Sequence, residues 1–240
     1  MLASKTGNAS YILSDMIKAI VYTFSFFLIL TVAHFKTQKR AKIFLPLGDS
    51  YTIGTGVAEN ESWPQQLCLK LKESGIEYRL PINPARIGST TADLIRDELP
   101  LLKKRSKPDL ISLLIGVNDW VQGIDGQTFR KNLVTILNEM ERHLNTKGQI
   151  IIITIPDFGK TPAGKRYARG RDISKGISEF NTIIKEEATK RNLMITDIFS
   201  LSQLMESDSS LVAGDGLHPS AKEYALWVEL ILTNMLQEHK

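Results

Sequence analysis

Residues 43–56 read Ile-Phe-Leu-Pro-Leu-Gly-Asp-Ser-Tyr-Thr-Ile-Gly-Thr-Gly, and the change of character inside this stretch decides how the rest is read. A short apolar run, Ile43, Phe44, Leu45 and Leu47, ends at Gly48, and Asp49 and Ser50 follow at once. A buried parallel strand delivers polar groups to its carboxyl edge in this way. Ser50 is therefore the candidate nucleophile. A serine hydroxyl attacks poorly until a base takes its proton, so the assignment needs a histidine and a group to orient it. The histidines are His34, His143, His218 and His239.

Outward from this stretch, apolar runs alternate with longer amphipathic segments. Strands are expected over residues 43–47, 78–82, 110–115, 149–155 and 193–196, and helices over 62–74, 91–105, 128–144, 173–191 and 219–236. Continuous Ile/Leu strands separated by helices indicate an α/β fold, a parallel sheet covered on both faces. One long irregular stretch, 156–172, is rich in Gly, Lys and Arg. Six cations stand between Lys160 and Lys175 against Asp172 alone, so this stretch is a solvated loop, one that steers an anionic substrate, or one that docks on anionic lipid head groups.

Ligands in such a sheet bind outside the carboxyl ends of the strands, so the polar residues just after each strand belong together. They are Asp49 and Ser50 after the first, Asn83, Arg86, Gly88, Ser89 and Thr90 after the second, and Gly116, Asn118 and Asp119 after the third. The segment DGLHPS, residues 215–220, joins them if it lies at the same edge. Asp215 precedes His218 by three residues, close enough for its carboxylate to hold one imidazole nitrogen and turn the other toward Ser50. Backbone N–H groups of Ser50 and Gly88 and the side-chain amide of Asn118 would then form an oxyanion hole. Gly88 suits that task because it has no side chain to obstruct approach. Taken singly, Ser50 fits a helix cap, Asn118 and Asp119 fit a turn, and His218-Pro219 fits a helix start. Their conjunction at one sheet edge is what caps alone do not explain.

Gly48-Asp49-Ser50, Gly88, Gly116-Val117-Asn118-Asp119 and Asp215-Gly216-Leu217-His218 resemble, in order, the four motif blocks of the SGNH (GDSL) hydrolases. The similarity covers residues 43–236. It implies a three-layer, flavodoxin-like α/β/α fold with a five-stranded parallel sheet, and a Ser-His-Asp acyl-transfer site without metal or organic cofactor. Carried over by position, Ser50 is nucleophile and first oxyanion donor, Gly88 and Asn118 are the other donors, His218 is the base and Asp215 its orienting acid. Val117 departs from the pattern, since many members carry glycine there, and it bears on the shape beside Asn118. The expected reaction is hydrolysis of a carboxylic ester or thioester, of lipase, lysophospholipase or esterase type, through an acyl-enzyme on Ser50. Two alternatives stand beside it: deacetylation of a cell-surface polysaccharide, and a catalytically inactive, membrane-tethered binding module.

Composition narrows the field. The chain has 240 residues, 42% hydrophobic and 23% charged, enough for a sizeable core. Residues 1–40 hold five Lys/Arg and one Asp, so of the 30 basic and 26 acidic residues the remainder carries 25 of each. Such a neutral body makes no electrostatic case for nucleic acid. The lone Cys68, flanked by Leu67 and Leu69, reads as a small buried hydrophobe, and no cluster has zinc-ligand spacing. Residues 159–165, GKTPAGK, have the spacing of a phosphate-binding loop, but Arg166 stands where Ser or Thr must coordinate magnesium and Pro162 removes a backbone donor. No serine sits in a G-x-S-x-G nucleophile elbow.

Between Lys18 and Lys36 the chain reads AIVYTFSFFLILTVAHF, uncharged and of a length between a signal-peptide core and a membrane span. Residues 1–40 are accordingly expected to be a hydrophobic helix serving as signal peptide or membrane anchor, and residues 41–240 the hydrolase domain. Small residues at 31–33 offer a cleavage point, whereas Lys36, Lys39 and Arg40 fit a retained anchor. The protein is thus expected to be membrane-associated or exported, with a small-molecule or lipid ester as its substrate.

Overall fold

The structure, a computed structural model, describes residues 41–104 and 107–237, together with Met16, Lys18 and Ile20. Those last three are helical and exposed, and the rest of the expected N-terminal helix lies outside the described residues, as do His34 and His239. Among the described residues no helix is long and apolar enough to cross a membrane. Residues Ala41–Lys240 form a compact unit of their own.

In chain order this unit comprises β1 (Lys42–Gly48), α1 (Ser50–Ile53), α2 (Trp63–Glu73), β2 (Tyr78–Arg79), α3 (Thr91–Asp97), α4 (Leu99–Lys104) and β3 (Leu110–Leu114). There follow α5 (Val117–Gln122), α6 (Gly126–His143), β4 (Gln149–Ile153), α7 (Ile173–Thr189), β5 (Met194–Thr196), α8 (Phe199–Ser202) and α9 (Ala221–Gln237). The sheet order is β2-β1-β3-β4-β5 and every pairing is parallel. That is the doubly wound, flavodoxin-like order, and it has one place where successive connections leave in opposite directions, between β1 and β3. A crevice opens there by topology alone. Ser50 follows β1 and Asn118 follows β3, so both stand at its rim.

Strands buried on both faces are nearly continuous apolar runs, and β3 (LISLL) is buried at every position, Ser112 included. Helix α2 packs on α9, while α3, α4, α6 and α7 pack on one another in a separate layer. Cys68, on α2, is half-buried against the core, and burial pushes its thiol up to about 11. It behaves as a small hydrophobe rather than as a reactive thiol.

The structure corrects two expected elements. The second strand stops at Arg79 instead of running to Ile82. It pairs only with Lys42 and Ile43 of β1. Further along, Pro46 in β1 and Pro81 in the other chain segment have no N–H to continue a ladder. The helix expected over 91–105 is two helices, α3 and α4, broken at Glu98. Pro100 lacks an N–H and its ring crowds the carbonyl four residues back, that of Arg96. The break has a use, because it turns the Glu98 carboxylate inward to accept the Gly48 N–H at 3.0 Å.

Candidate active site

Gly48 begins the site because nothing larger fits. A Cβ there would lie 2.3 Å from the Leu114 carbonyl oxygen and 2.3 Å from Thr52 Oγ1, and φ is +155°. The chain therefore turns sharply out of β1 into α1. Asp49, fully buried, caps that helix by accepting the Tyr51 N–H at 3.0 Å. The cap is thus Asp49 and not Ser50, which is the first residue of α1 and keeps its hydroxyl for other partners.

Ser50 Oγ lies 2.9 Å from His218 Nε2, and His218 Nδ1 lies 2.6 Å from Asp215 Oδ2. The other Asp215 oxygen accepts the backbone N–H groups of Leu217 (2.8 Å) and His218 (2.9 Å), which fixes carboxylate and imidazole on one turn. Partial burial works against charge on Asp215, but those two N–H groups and the His218 ring outweigh it and hold the carboxyl below its usual range. The carboxylate is therefore ionised at neutral pH. Tyr51 meets the imidazole edge-on, ring centroids 5.4 Å apart, and Ala163 donates its N–H to the Gly216 carbonyl at 2.8 Å. His143, by contrast, sits on α6 with its Nδ1 2.9 Å from the Glu139 carbonyl oxygen.

Opposite the imidazole stand Gly88 and Asn118. Gly88 has φ +80°, but a Cβ there would meet nothing within 4 Å, so glycine is demanded by the left-handed backbone and not by lack of room. Its N–H has no hydrogen bond among the described residues. Asn118 donates one amide hydrogen to the Ser89 carbonyl at 2.9 Å and keeps the second. Beside it Asp119, buried, accepts the N–H (2.8 Å) and hydroxyl (2.5 Å) of Thr91, the first residue of α3. The Gly88 segment and the start of α5 are thus tied by adjacent contacts. A pocket of about 260 Å³ joins Ser50, Gly88, Asn118 and His218, and its walls are mainly apolar: Ile87, Val117, Val121, Phe158, Tyr167 and Leu217. Val117 is one wall beside Asn118.

The phosphate-loop look-alike makes no cradle. Its backbone donors are consumed locally, Lys160 N–H on the Asp157 carbonyl, Thr161 N–H on that of Phe158 and Gly164 N–H on that of Thr161. Of the six cations in this stretch, Lys160 pairs with Glu206 at 2.9 Å and Arg171 donates to carbonyls of α5. Lys165, Arg166 and Arg169 have no ion pair among the described residues.

Beneath Ser50 lie two buried carboxyls, Asp49 and Glu98, and each keeps one oxygen without a partner among the described residues. Burial raises both to about 8; the Tyr51 and Gly48 N–H groups oppose that rise, and neighbouring carboxylates add to it. The folded protein therefore keeps protons that the unfolded chain releases near the ordinary values of 3.8 and 4.5. Their contribution to stability is present below about pH 4 and is lost as pH rises through about 8. Wild type should accordingly lose melting temperature between pH 5 and 9. Replacing Asp49 with Asn and Glu98 with Gln should flatten the profile, recovering about 2–4 °C at pH 9 for each kcal/mol regained. Equal slopes of melting temperature against pH in wild type and the double variant would show that both carboxyls ionise freely.

The sequence profile of the GDSL-like lipase/acylhydrolase family matches residues 47–226. The chain is 31% identical over 136 residues to a multidomain esterase of Ruminococcus flavefaciens, an alignment covering 53% of this chain but only 16% of that protein. It is 24% identical over 183 residues to esterase TesA of Pseudomonas aeruginosa, covering 76% of this chain and 82% of TesA. Among solved structures, the lipase/acylhydrolase of Enterococcus faecalis superposes with a TM-score of 0.64 at 25% identity, over 81% of this chain and 95% of that one. With the profile spanning most of its length and the fold shared, the chain belongs to the GDSL-like lipase/acylhydrolase family of ester hydrolases.

Proposed function

We propose that Ser50 is the nucleophile of an acyl-enzyme mechanism, with His218 as its base and Asp215 as the group that orients the base. The observation that carries this reading is the unbroken line from Ser50 Oγ through His218 to Asp215, 2.9 and 2.6 Å. As Oγ attacks the carbonyl carbon, His218 Nε2 takes its proton, and Asp215 holds the imidazole in the tautomer that can do so. The carbonyl oxygen becomes an oxyanion facing the Ser50 and Gly88 N–H groups and the free Asn118 amide hydrogen. His218 then gives its proton to the leaving alcohol or thiol. Water, deprotonated by the same nitrogen, releases the acid and restores Ser50.

The substrate reading rests on the pocket walls. Aliphatic and aromatic side chains favour a hydrocarbon-bearing ester or thioester over a sugar acetate, whose hydroxyls would find few partners there. Chromogenic esters of increasing acyl length test this: kcat/KM should rise from acetyl to medium chains, because each methylene buried in the pocket is worth about 0.8 kcal/mol. A rate that is highest for acetyl would favour the O-acetyl esterase reading. Absence of turnover on every ester would favour the inactive binding module.

For the amino terminus we propose a signal peptide or anchor over residues 1–40, supported by the uncharged run from Ala19 to Phe35. A protein beginning at Ala41 should fold and hydrolyse a water-soluble ester as fast as the full chain. Loss of folding on that truncation would mean that the segment packs on the catalytic unit. Cell fractionation separates the two forms of the proposal, full-length mass in membranes marking an anchor and a product shortened near Ala33 a cleaved signal.

A further inference from the structure

We propose that Arg171 is a positioning residue that sets the place of Asn118 from the far end of α5; this rests on the reading of Asn118 as an oxyanion donor. Helix α5 is six residues long, too short to hold itself together, so its position must come from its surroundings. Its first turn is fixed by the Asn118 and Asp119 contacts to Ser89 and Thr91. In its last turn the Gly123 and Ile124 N–H groups cap the Trp120 and Asp119 carbonyls, which leaves Trp120 one further lone pair and the Val121 carbonyl no backbone donor among the described residues. Arg171 supplies them with donors: one guanidinium nitrogen lies 2.6 Å from the Trp120 carbonyl oxygen and the other 3.0 Å from that of Val121.

The same guanidinium carbon lies 3.9 Å from the centre of the Trp120 ring. Arg171 forms no ion pair among the described residues, so its charge serves the carbonyl ends of α5 and the indole face. A lysine could not do this, because only the planar fork reaches two carbonyls while lying flat on a ring. Helix α7 is shaped to receive the same indole: a Cβ on Gly176 would lie 1.8 Å from Trp120 Nε1. Phe158 meets the ring edge-on with centroids 5.8 Å apart. Trp120 is thus seated between α7, Phe158 and Arg171, two residues along the chain from Asn118. Loss of the guanidinium leaves the Val121 carbonyl without its donor and uncovers the indole, and a shift of Trp120 tilts the amide away from the developing oxyanion.

The test is a double-mutant cycle between Arg171→Ala and Asn118→Ala on a water-soluble ester. Arg171→Ala should lower kcat about tenfold with KM within about twofold of wild type, since misplacing a transition-state donor costs rate and not ground-state binding. In the Asn118→Ala background the same replacement should cost less than about twofold, because the group it positions is gone. Arg171→Lys, which keeps the charge but not the fork, should recover little of the loss. It also carries the cycle if the alanine variant fails to fold.

A tenfold loss that persists undiminished in the Asn118→Ala background, or wild-type kcat in both Arg171 variants, overturns the proposal. An Asn118→Ala enzyme as fast as wild type overturns the donor reading and this role of Arg171 with it. That failure is told apart because it shows in the Asn118 variant alone.

Discussion

Ser50→Ala should lower kcat on any ester by about a million-fold while the protein keeps its melting temperature, because the acyl-enzyme then has no atom to form on. His218→Ala should cost a similar factor, and combining the two should add almost nothing, since residues acting as one unit are lost together. Asp215→Asn should cost less, about 10⁴-fold: the imidazole survives as a base, but an amide in place of the carboxylate favours the wrong tautomer. The structure gives that expectation its geometry, because Asp215 reaches His218 through both oxygens, one on Nδ1 and the other on the backbone N–H. An Asp215→Asn enzyme as active as wild type would show that another group orients the ring. Steady-state kinetics of the three single variants and the Ser50/His218 pair decide between these outcomes.

Outside the triad the largest expected effect is that of Asn118→Ala, a fall of about 10²–10³ in kcat with little change in KM. In the proposed role the amide hydrogen that Asn118 keeps would meet charge that exists only in the transition state, so a ground-state ester would gain little from it. Its other hydrogen already holds the Ser89 carbonyl, and this bond keeps the donor at a fixed angle before substrate arrives. Catalysis by preorganised donors depends on that lack of rearrangement. A loss smaller than about threefold would leave the oxyanion to the two backbone N–H groups.

The strands and the polar residues that follow them were legible for a physical reason. A strand covered on both faces is a nearly continuous apolar run, so the point where a run of polar residues resumes marks the carboxyl edge, and Ser50 and Asn118 are found by that rule. The turn bearing Asp215 and His218 was legible because its contacts are local, three residues apart. Glu98 was not, since its partner Gly48 is fifty residues away and the neighbouring Arg96 and Asp97 read as an exposed helix. The break at Glu98 does have a local sign in Pro100, which a helix interior excludes. Arg171 was hidden for the opposite reason: it stands in a run of cations, where charge alone does not separate a side chain that binds carbonyls from one in water. The short helices α1 and α5 have too few residues to show a period, and packing alone decides them.

Covalent labelling tests the nucleophile most directly. Incubation with an organophosphonate, followed by intact mass and peptide mapping, should give one adduct per chain, located on Ser50, and none on the Ser50→Ala protein. An adduct on a different serine, or labelling of Ser50→Ala at the wild-type rate, would contradict the mechanism.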